Sequence, residues 1–275
     1  MKNAILIALG GAIVSAAVLG AGFVSGMGSP VEAGEAPQVV KVADNAPLAS
    51  AADKAAIEAI VHDYLVKNPE VLLEVQDALE KKQGETQRVA QQKVIEGASK
   101  QIFDASYDGV IGNPDGKLSI VEFFDYNCHF CKGALTDMQA LVKENKDLRF
   151  VLKEFPILGE DSAKASVVSM AFKKMMPEKY SDFHQELLGG KGRADEAKAI
   201  KIAVSLGADE AALRNEMKDP AIQQDIQNTY DLANKLAISG TPSYVLGDEV
   251  VFGALGKKVL DEKLANVRTC DHTTC

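Results

Sequence analysis

An α/β fold with a mixed sheet, carrying a helical insertion and preceded by an α-helical extension, is what this sequence predicts, on three observations. The run "KLSIVEFFDY" (117–126) reads as a buried strand, "CKGALTDMQALVKEN" (131–145) as a helix and "LRFVLKEFPIL" (148–158) as a second strand, which makes a β-α-β unit. From Asp161 to about Leu236 the pattern is almost all helical, broken only by loops at "LLGGKGRAD" and "MKDPA". The chain then returns through "SGTPSYVLGDEVVFG" (239–253), a Thr-Pro followed by two short strands turning at Gly247-Asp248, and closes on a helix at about 256–267. Strand, helix, strand, helical insert, two strands and helix is an α/β order.

Ahead of that domain the elements follow in sequence. After Lys2 the chain runs uncharged from Ala4 to Met27 and leaves through "GSPVEAGEA". A basic start, an apolar centre and a small-residue exit predict a signal peptide over 1–33, cleaved after Ala33 or Ala36. An uncleaved anchor is the alternative, since 24 uncharged residues can span a bilayer, although many are Gly, Ala or Ser. Either way the body of the protein is exported, to the periplasm. Residues 34–50, rich in Ala and Pro, read as a linker. Ile57, Ile60, Val61, Tyr64 and Leu65 then mark one helix face. Asn68-Pro69 ends that helix and begins another, with Val71, Leu72, Val75 and Leu79 on its apolar side. Residues 34–104 are therefore read as linker and helical oligomerisation region, and 105–275 as the main domain with its insert at about 160–236.

A formal charge of −9 and the lack of any basic stripe exclude a nucleic-acid partner, because phosphate binding requires clustered Lys and Arg. The chain has four cysteines, and export favours their pairing as Cys128/Cys131 and Cys270/Cys275. The tail pair encloses four residues at the terminus and reads as peripheral. A zinc site would need Cys270, His272 and Cys275 as partners of the CxxC, whereas structural zinc sites sit in small Cys-rich modules. "NPDGKLSIVE" (113–122) imitates a calcium loop but carries Ile111 where the first ligand belongs. Met170, Met175, Met176 and His184 fall in amphipathic helices as core or surface residues, His62 on a helix surface, and "GGKG" in a turn.

That leaves a redox pair. A cysteine at a helix N-terminus meets unsatisfied backbone N–H groups and the positive end of the helix dipole, which favour thiolate over thiol. Cys128 is thus expected to be the attacking sulfur and Cys131, one turn on, the more buried partner. His129, adjacent and exposed, adds positive charge when protonated.

"VEFFDYNCHFCK" together with "SGTPSYV" resembles the thioredoxin superfamily, in particular its exported DsbA-like branch with a helical insert, over roughly residues 105–268. The N-terminal helices resemble the oligomerising extension of DsbA-like proteins of the ScsC and Com type. The resemblance implies a thioredoxin-like fold and a cis-proline loop at Thr241-Pro242 that pairs with an extended substrate. It makes Glu122 the acidic residue beneath the redox pair, relaying protons for Cys131, and requires no cofactor or metal. Its implied partners are cysteine-containing exported proteins and a membrane redox partner, either a DsbD-like reductant or a DsbB-like oxidant. His129-Phe130 replaces the Pro-His of the strongly oxidising members, and Thr before the proline resembles the isomerase branch. The sequence is accordingly read as an exported protein disulfide oxidoreductase of isomerase or reductase type, with a DsbA-type dithiol oxidase as the alternative. A copper-binding or surface-associated thioredoxin-like protein is the alternative from another class.

Overall fold

The computed structural model describes residues 51–275, so the expected signal segment or anchor at 1–33 and the linker at 34–50 lie outside the described residues. Contacts divide the chain into two compact units, Met1–Tyr64 and Leu65–Cys275. The described part of the first belongs to helix α1 (Ala51–Lys67), on which Ile57, Ile60, Val61 and Tyr64 are all exposed.

The second unit begins with the end of α1 and continues through α2 (Glu70–Gly97) and α3 (Ser99–Phe103). Then come β1 (Gly109–Gly112), β2 (Leu118–Phe124), α4 (His129–Glu144) and β3 (Leu148–Glu154). The helical insert is α5 (Glu160–Met175), α6 (Tyr180–Gly189), α7 (Glu196–Ser205), α8 (Glu210–Glu216) and α9 (Pro220–Lys235). The hairpin β4 (Ser243–Leu246) and β5 (Glu249–Phe252) and the helix α10 (Lys257–Cys270) complete it. Asp195, Asp209 and Asp219 cap α7, α8 and α9, each accepting a backbone N–H of the first turn, and Pro220 opens α9 where no N–H is needed.

The five strands form one sheet in the order β1-β3-β2-β4-β5, with β2 and β3 parallel and the other pairs antiparallel. Both faces are covered, which is why β2 reads as a continuous apolar run instead of alternating. Ile120 and Phe124 point into one layer with α4, α10 and most of the insert. Val121 and Phe123 point into the other, against Ile95 of α2, Ile102 of α3 and Leu232 of α9. Packing onto the sheet therefore begins before residue 105. Gln91 of α2 is buried and its amide donates to the Leu236 carbonyl at 2.7 Å. By contrast Leu72, Leu73, Val75 and Leu79, earlier on α2, are exposed.

Lys153 of β3 is a fully buried charge. Its ammonium reaches the Asp108 carboxylate at 2.5 Å and the Gln101 carbonyl at 2.7 Å, and lies 5.5 Å from the centre of the Tyr107 ring. Burial pushes the Asp108 carboxyl up to about 6 against the opposing pull of Lys153. Removing one partner of a buried pair costs about 3–5 kcal/mol. Lys153→Met should show that loss in urea unfolding at about pH 8 and a smaller one at about pH 5. A carboxyl with a raised native pKa opposes folding only once the pH passes its unfolded value, and taking away Lys153 raises it further. Equal losses at both pH values would contradict this account of the pair.

Candidate redox site

β2 delivers the chain through Asp125, Tyr126 and Asn127 to Cys128, the N-cap of α4. Cys128 is extended (φ −74°, ψ 121°), and its sulfur accepts the backbone N–H of Cys131 at 3.3 Å. The Cys128 thiol donates to the carbonyl of Thr241 at 3.2 Å, which brings the Thr241-Pro242 loop over the sulfur. The Thr241-Pro242 peptide is cis, and the Pro242 carbonyl accepts Gly253 N–H at 3.0 Å, fastening the loop to the end of β5. Both cysteines are free thiols. Cys128 keeps 5% of its surface and Cys131 none, so the first sulfur is less open than the sequence suggested, because the Thr241 loop covers it. His129 is exposed, and Phe130, 64% exposed, stands beside the pair.

The two sulfurs are driven in opposite directions. Cys128 is held down at about 6, first by the hydrogen bond from the Cys131 thiol. Burial opposes this, while the Thr241 side chain and the backbone N–H groups of Cys131 and Phe130 reinforce it. Cys131 is pushed far above the ordinary thiol range, first by burial, then by its bond to Cys128 and the nearby charge of Glu122. At neutral pH one sulfur is a nucleophile and the other holds its proton.

Glu122 lies on β2 opposite Tyr244 of β4 and Leu152 of β3, on the same face of the sheet as α4. It is buried, one carboxylate oxygen has no hydrogen-bond partner, and burial followed by the Cys128 charge raises it to about 8. Such a group is mostly protonated near neutrality and can exchange a proton within the site.

The structure thus brings together Cys128, Cys131, Glu122, Thr241 and Pro242, with His129 and Phe130 on the exposed first turn of α4. It also brings in Asp125 and Asn127, which sequence reasoning passed over. Two polar residues breaking an otherwise buried run just before a CxxC were the available signal. His184 is buried under this region, its imidazole pushed down to about 3 by burial, while Met175 and Met176 are only partly buried at the edge of the core. Among the described residues no group of three or more His, Cys, Asp or Glu side chains is placed to hold a metal ion.

The DsbA-like thioredoxin domain family matches residues 119–265, and the copper resistance protein ScsC N-terminal domain matches residues 53–85. A thioredoxin-like oxidoreductase from Silicibacter pomeroyi DSS-3 is 36% identical, with a TM-score of 0.59, and the match covers 62% of this chain and 98% of that one. ScsC of Proteus mirabilis in a transitional conformation is 31% identical, with a TM-score of 0.58, over 79% of this chain and 97% of that one. Disulfide bond formation protein D of Bacillus subtilis (strain 168) is 23% identical over 155 residues, 52% of this chain and 68% of its own length. The chain belongs to the DsbA-like thioredoxin-domain family. It is a thiol–disulfide oxidoreductase of the DsbA/ScsC type, with a thioredoxin-like fold and an N-terminal helical extension.

The low Cys128 pKa has a readable consequence. A depressed pKa stabilises the reduced fold fully above the ordinary thiol value, and that contribution fades as the pH falls through about 6. Ultraviolet thiolate absorbance of the reduced protein should therefore rise with a midpoint near pH 6 and vanish in Cys128→Ser. A midpoint near the ordinary thiol value, about 8.5, would remove the basis for a reactive Cys128.

Proposed function

We propose that Cys128 carries the exchange and Cys131 resolves it, on cysteines of exported proteins in the periplasm. In the oxidising direction a substrate thiolate attacks the Cys128 sulfur of the Cys128–Cys131 disulfide. Cys131 leaves as a thiolate and takes a proton, for which Glu122 is the near donor. A second substrate thiolate then attacks the substrate sulfur of the mixed disulfide, closing the substrate disulfide and releasing Cys128 as thiolate. In the isomerising direction the Cys128 thiolate attacks a wrong substrate disulfide and frees one substrate thiolate. Attack by another substrate thiolate on the substrate sulfur of the mixed disulfide then frees the Cys128 thiolate and leaves a different pairing. Alternatively Cys131, after giving up its proton, attacks the Cys128 sulfur, closes Cys128–Cys131 and releases the substrate reduced. The observation that carries this reading is the contrast between the N-capping Cys128 sulfur and the fully buried Cys131. In this reading the Thr241-Pro242 loop receives an extended substrate segment by backbone pairing, with Phe130 as its apolar neighbour. A DsbD-like reductant in the membrane keeps the pair reduced in this reading.

Isomerase or reductase work by an assembled form is favoured by the exposed apolar faces of α1 and α2, namely Ile57, Ile60, Val61 and Tyr64, then Leu72, Val75 and Leu79. Burying each such side chain contributes about 1.5–3 kcal/mol before entropic losses. Residues in this stretch match the ScsC N-terminal domain. The region assembles the protein as a dimer or trimer. The DsbA-type dithiol oxidase is the second reading, favoured by the low pKa of Cys128, since stabilising the reduced thiolate makes the disulfide a stronger oxidant.

Two experiments test these roles. Cys131→Ala should accumulate mixed disulfides with substrate proteins and Cys128→Ala none; trapping through Cys131 instead would exchange the two roles. Light scattering of the mature chain should give a dimer or trimer. Deleting residues 34–85, which spares the docked Gln91 and Ile95, should leave a folded monomer that oxidises dithiols but no longer unscrambles a misoxidised protein. A mature chain that is already monomeric makes the oxidase the correct reading.

A further inference from the structure

The polar residues ahead of Cys128 find their partners in the helical insert. The Asp125 carboxylate is fully buried. One oxygen accepts the N–H of Asn127 at 2.7 Å and the hydroxyl of Ser162 at 2.8 Å, and the other accepts the N–H of Leu158 at 2.9 Å. The Asn127 side chain clasps the backbone of Ala194 at both ends: its Nδ2 donates to the carbonyl and its Oδ1 accepts the N–H, each at 2.8 Å. Asn127 Nδ2 also donates to Ser162 Oγ at 3.0 Å, so that hydroxyl both gives and receives a bond in the same cluster. The Asp125 carbonyl accepts the N–H of Cys128 itself at 3.0 Å.

Three separate parts of the insert region are gathered here: Leu158 in the connection leaving β3, Ser162 in the first turn of α5, and Ala194 in the loop before α7. All are tied to two residues, Asp125 and Asn127, of one short loop. Something must hold that loop other than the sulfur. The bonds Cys128 makes to Cys131 N–H and the Thr241 carbonyl are those of the thiol, and the donated one is lost whenever the sulfur is a thiolate or in a disulfide. Hydrogen bonds to a carboxylate are the stronger kind, and they do not depend on the redox state of the cysteines.

We infer that Asp125 and Asn127 are positioning residues for disulfide exchange: their side chains fasten the start of α4 to the helical insert and keep the Cys128 sulfur in register with the N–H groups of that helix's first turn. The inference rests on Cys128 being the attacking sulfur. It makes the insert a part of the redox site's support, since a change at Ser162, which bonds to Asp125 and Asn127 and to neither cysteine, reaches the sulfur through the loop.

The test uses Asn127→Ala, Ser162→Ala and the pair of them in the full chain, reading the pH profile of Cys128 alkylation and of thiolate absorbance. Each single variant should raise the thiolate midpoint by about one unit, which lowers the alkylation rate near pH 6 about fivefold. The double variant should shift less than the sum, because the two side chains share a bond. Val250→Ala, in the core layer on the other side of the sheet, should lower stability and leave the profile in place. Unmoved midpoints in folded Asn127→Ala and Ser162→Ala, against a low wild-type value, overturn this inference alone. If Asn127→Ala does not fold, Ser162→Ala decides by itself. A wild-type chain that titrates near the ordinary thiol value overturns the site reading and this inference together.

Discussion

The sulfur of Cys128 sits where the first turn of α4 leaves its N–H groups without carbonyl partners, and the chemistry of the site follows from that placement. The Cys131 N–H points at it from 3.3 Å. A negative sulfur is welcome there for the same reason that an Asp caps α7, α8 and α9. With 3.6 residues to a turn, the residue three positions on returns beneath the first, and here that direction is the core. The single hydrogen bond between the two thiols lowers one pKa and raises the other. Two chemically identical side chains thus acquire opposite tendencies from one helix end and one step of burial.

The sheet beneath imposes the next constraint. With both faces covered, any side chain on β2 enters a closed layer, and Glu122 enters it between Ile120 and Phe124. A carboxylate left short of donors in such a place responds by keeping its proton. Glu154, at the end of β3, behaves alike: Ser166 serves one oxygen at 2.7 Å, the other has no partner, and burial raises the group to about 8. Asp125 is as deeply buried, yet each of its oxygens receives at least one donor. Both Asp125 oxygens are thus committed to holding the loop.

Much of this was legible before any coordinates. β2, α4 and β3 carry runs long enough to declare themselves, and Cys128 and Cys131 were marked by their place at a strand–helix junction. The tail cysteines pair as Cys270–Cys275, as the count of four in a chain read as exported implied. The missing strand, β1, is only "GVIG"; it pairs antiparallel with β3 at the sheet edge and has too few residues for a pattern. Asp125 and Asn127 escaped notice because their meaning lies in Ser162 and Ala194, far along the chain and on other elements. The near-burial of Cys128 was likewise set by Thr241, a residue 113 positions away. Periodicity reports which face a residue occupies, and it carries no information about which distant polar atom waits there.

The base of α2 illustrates the same limit from the other direction. Apolar content thins toward the end of that helix, yet this is the end that docks. Gln91 reaches Leu236, Gln92 gives its amide to Asp248 at 2.8 Å, and Ile95 enters the core. Asp248 also accepts the Thr273 N–H at 3.0 Å and its hydroxyl at 3.1 Å, and lies 3.0 Å from His272 Nδ1. Burial works against a charge there, but these hydrogen bonds bring the carboxyl down to about 2. His272 and Thr273 stand inside the ring closed by Cys270–Cys275, so the tail that read as peripheral is part of the clasp on α2. Polar residues fix this helix to the domain, and its apolar residues from Leu72 to Leu79 lie about 18–28 Å further along it, at 1.5 Å per residue. Among the described residues this helix is fastened by its polar end while its apolar end stays exposed, so its largest hydrophobic surface lies away from the bonds that hold it.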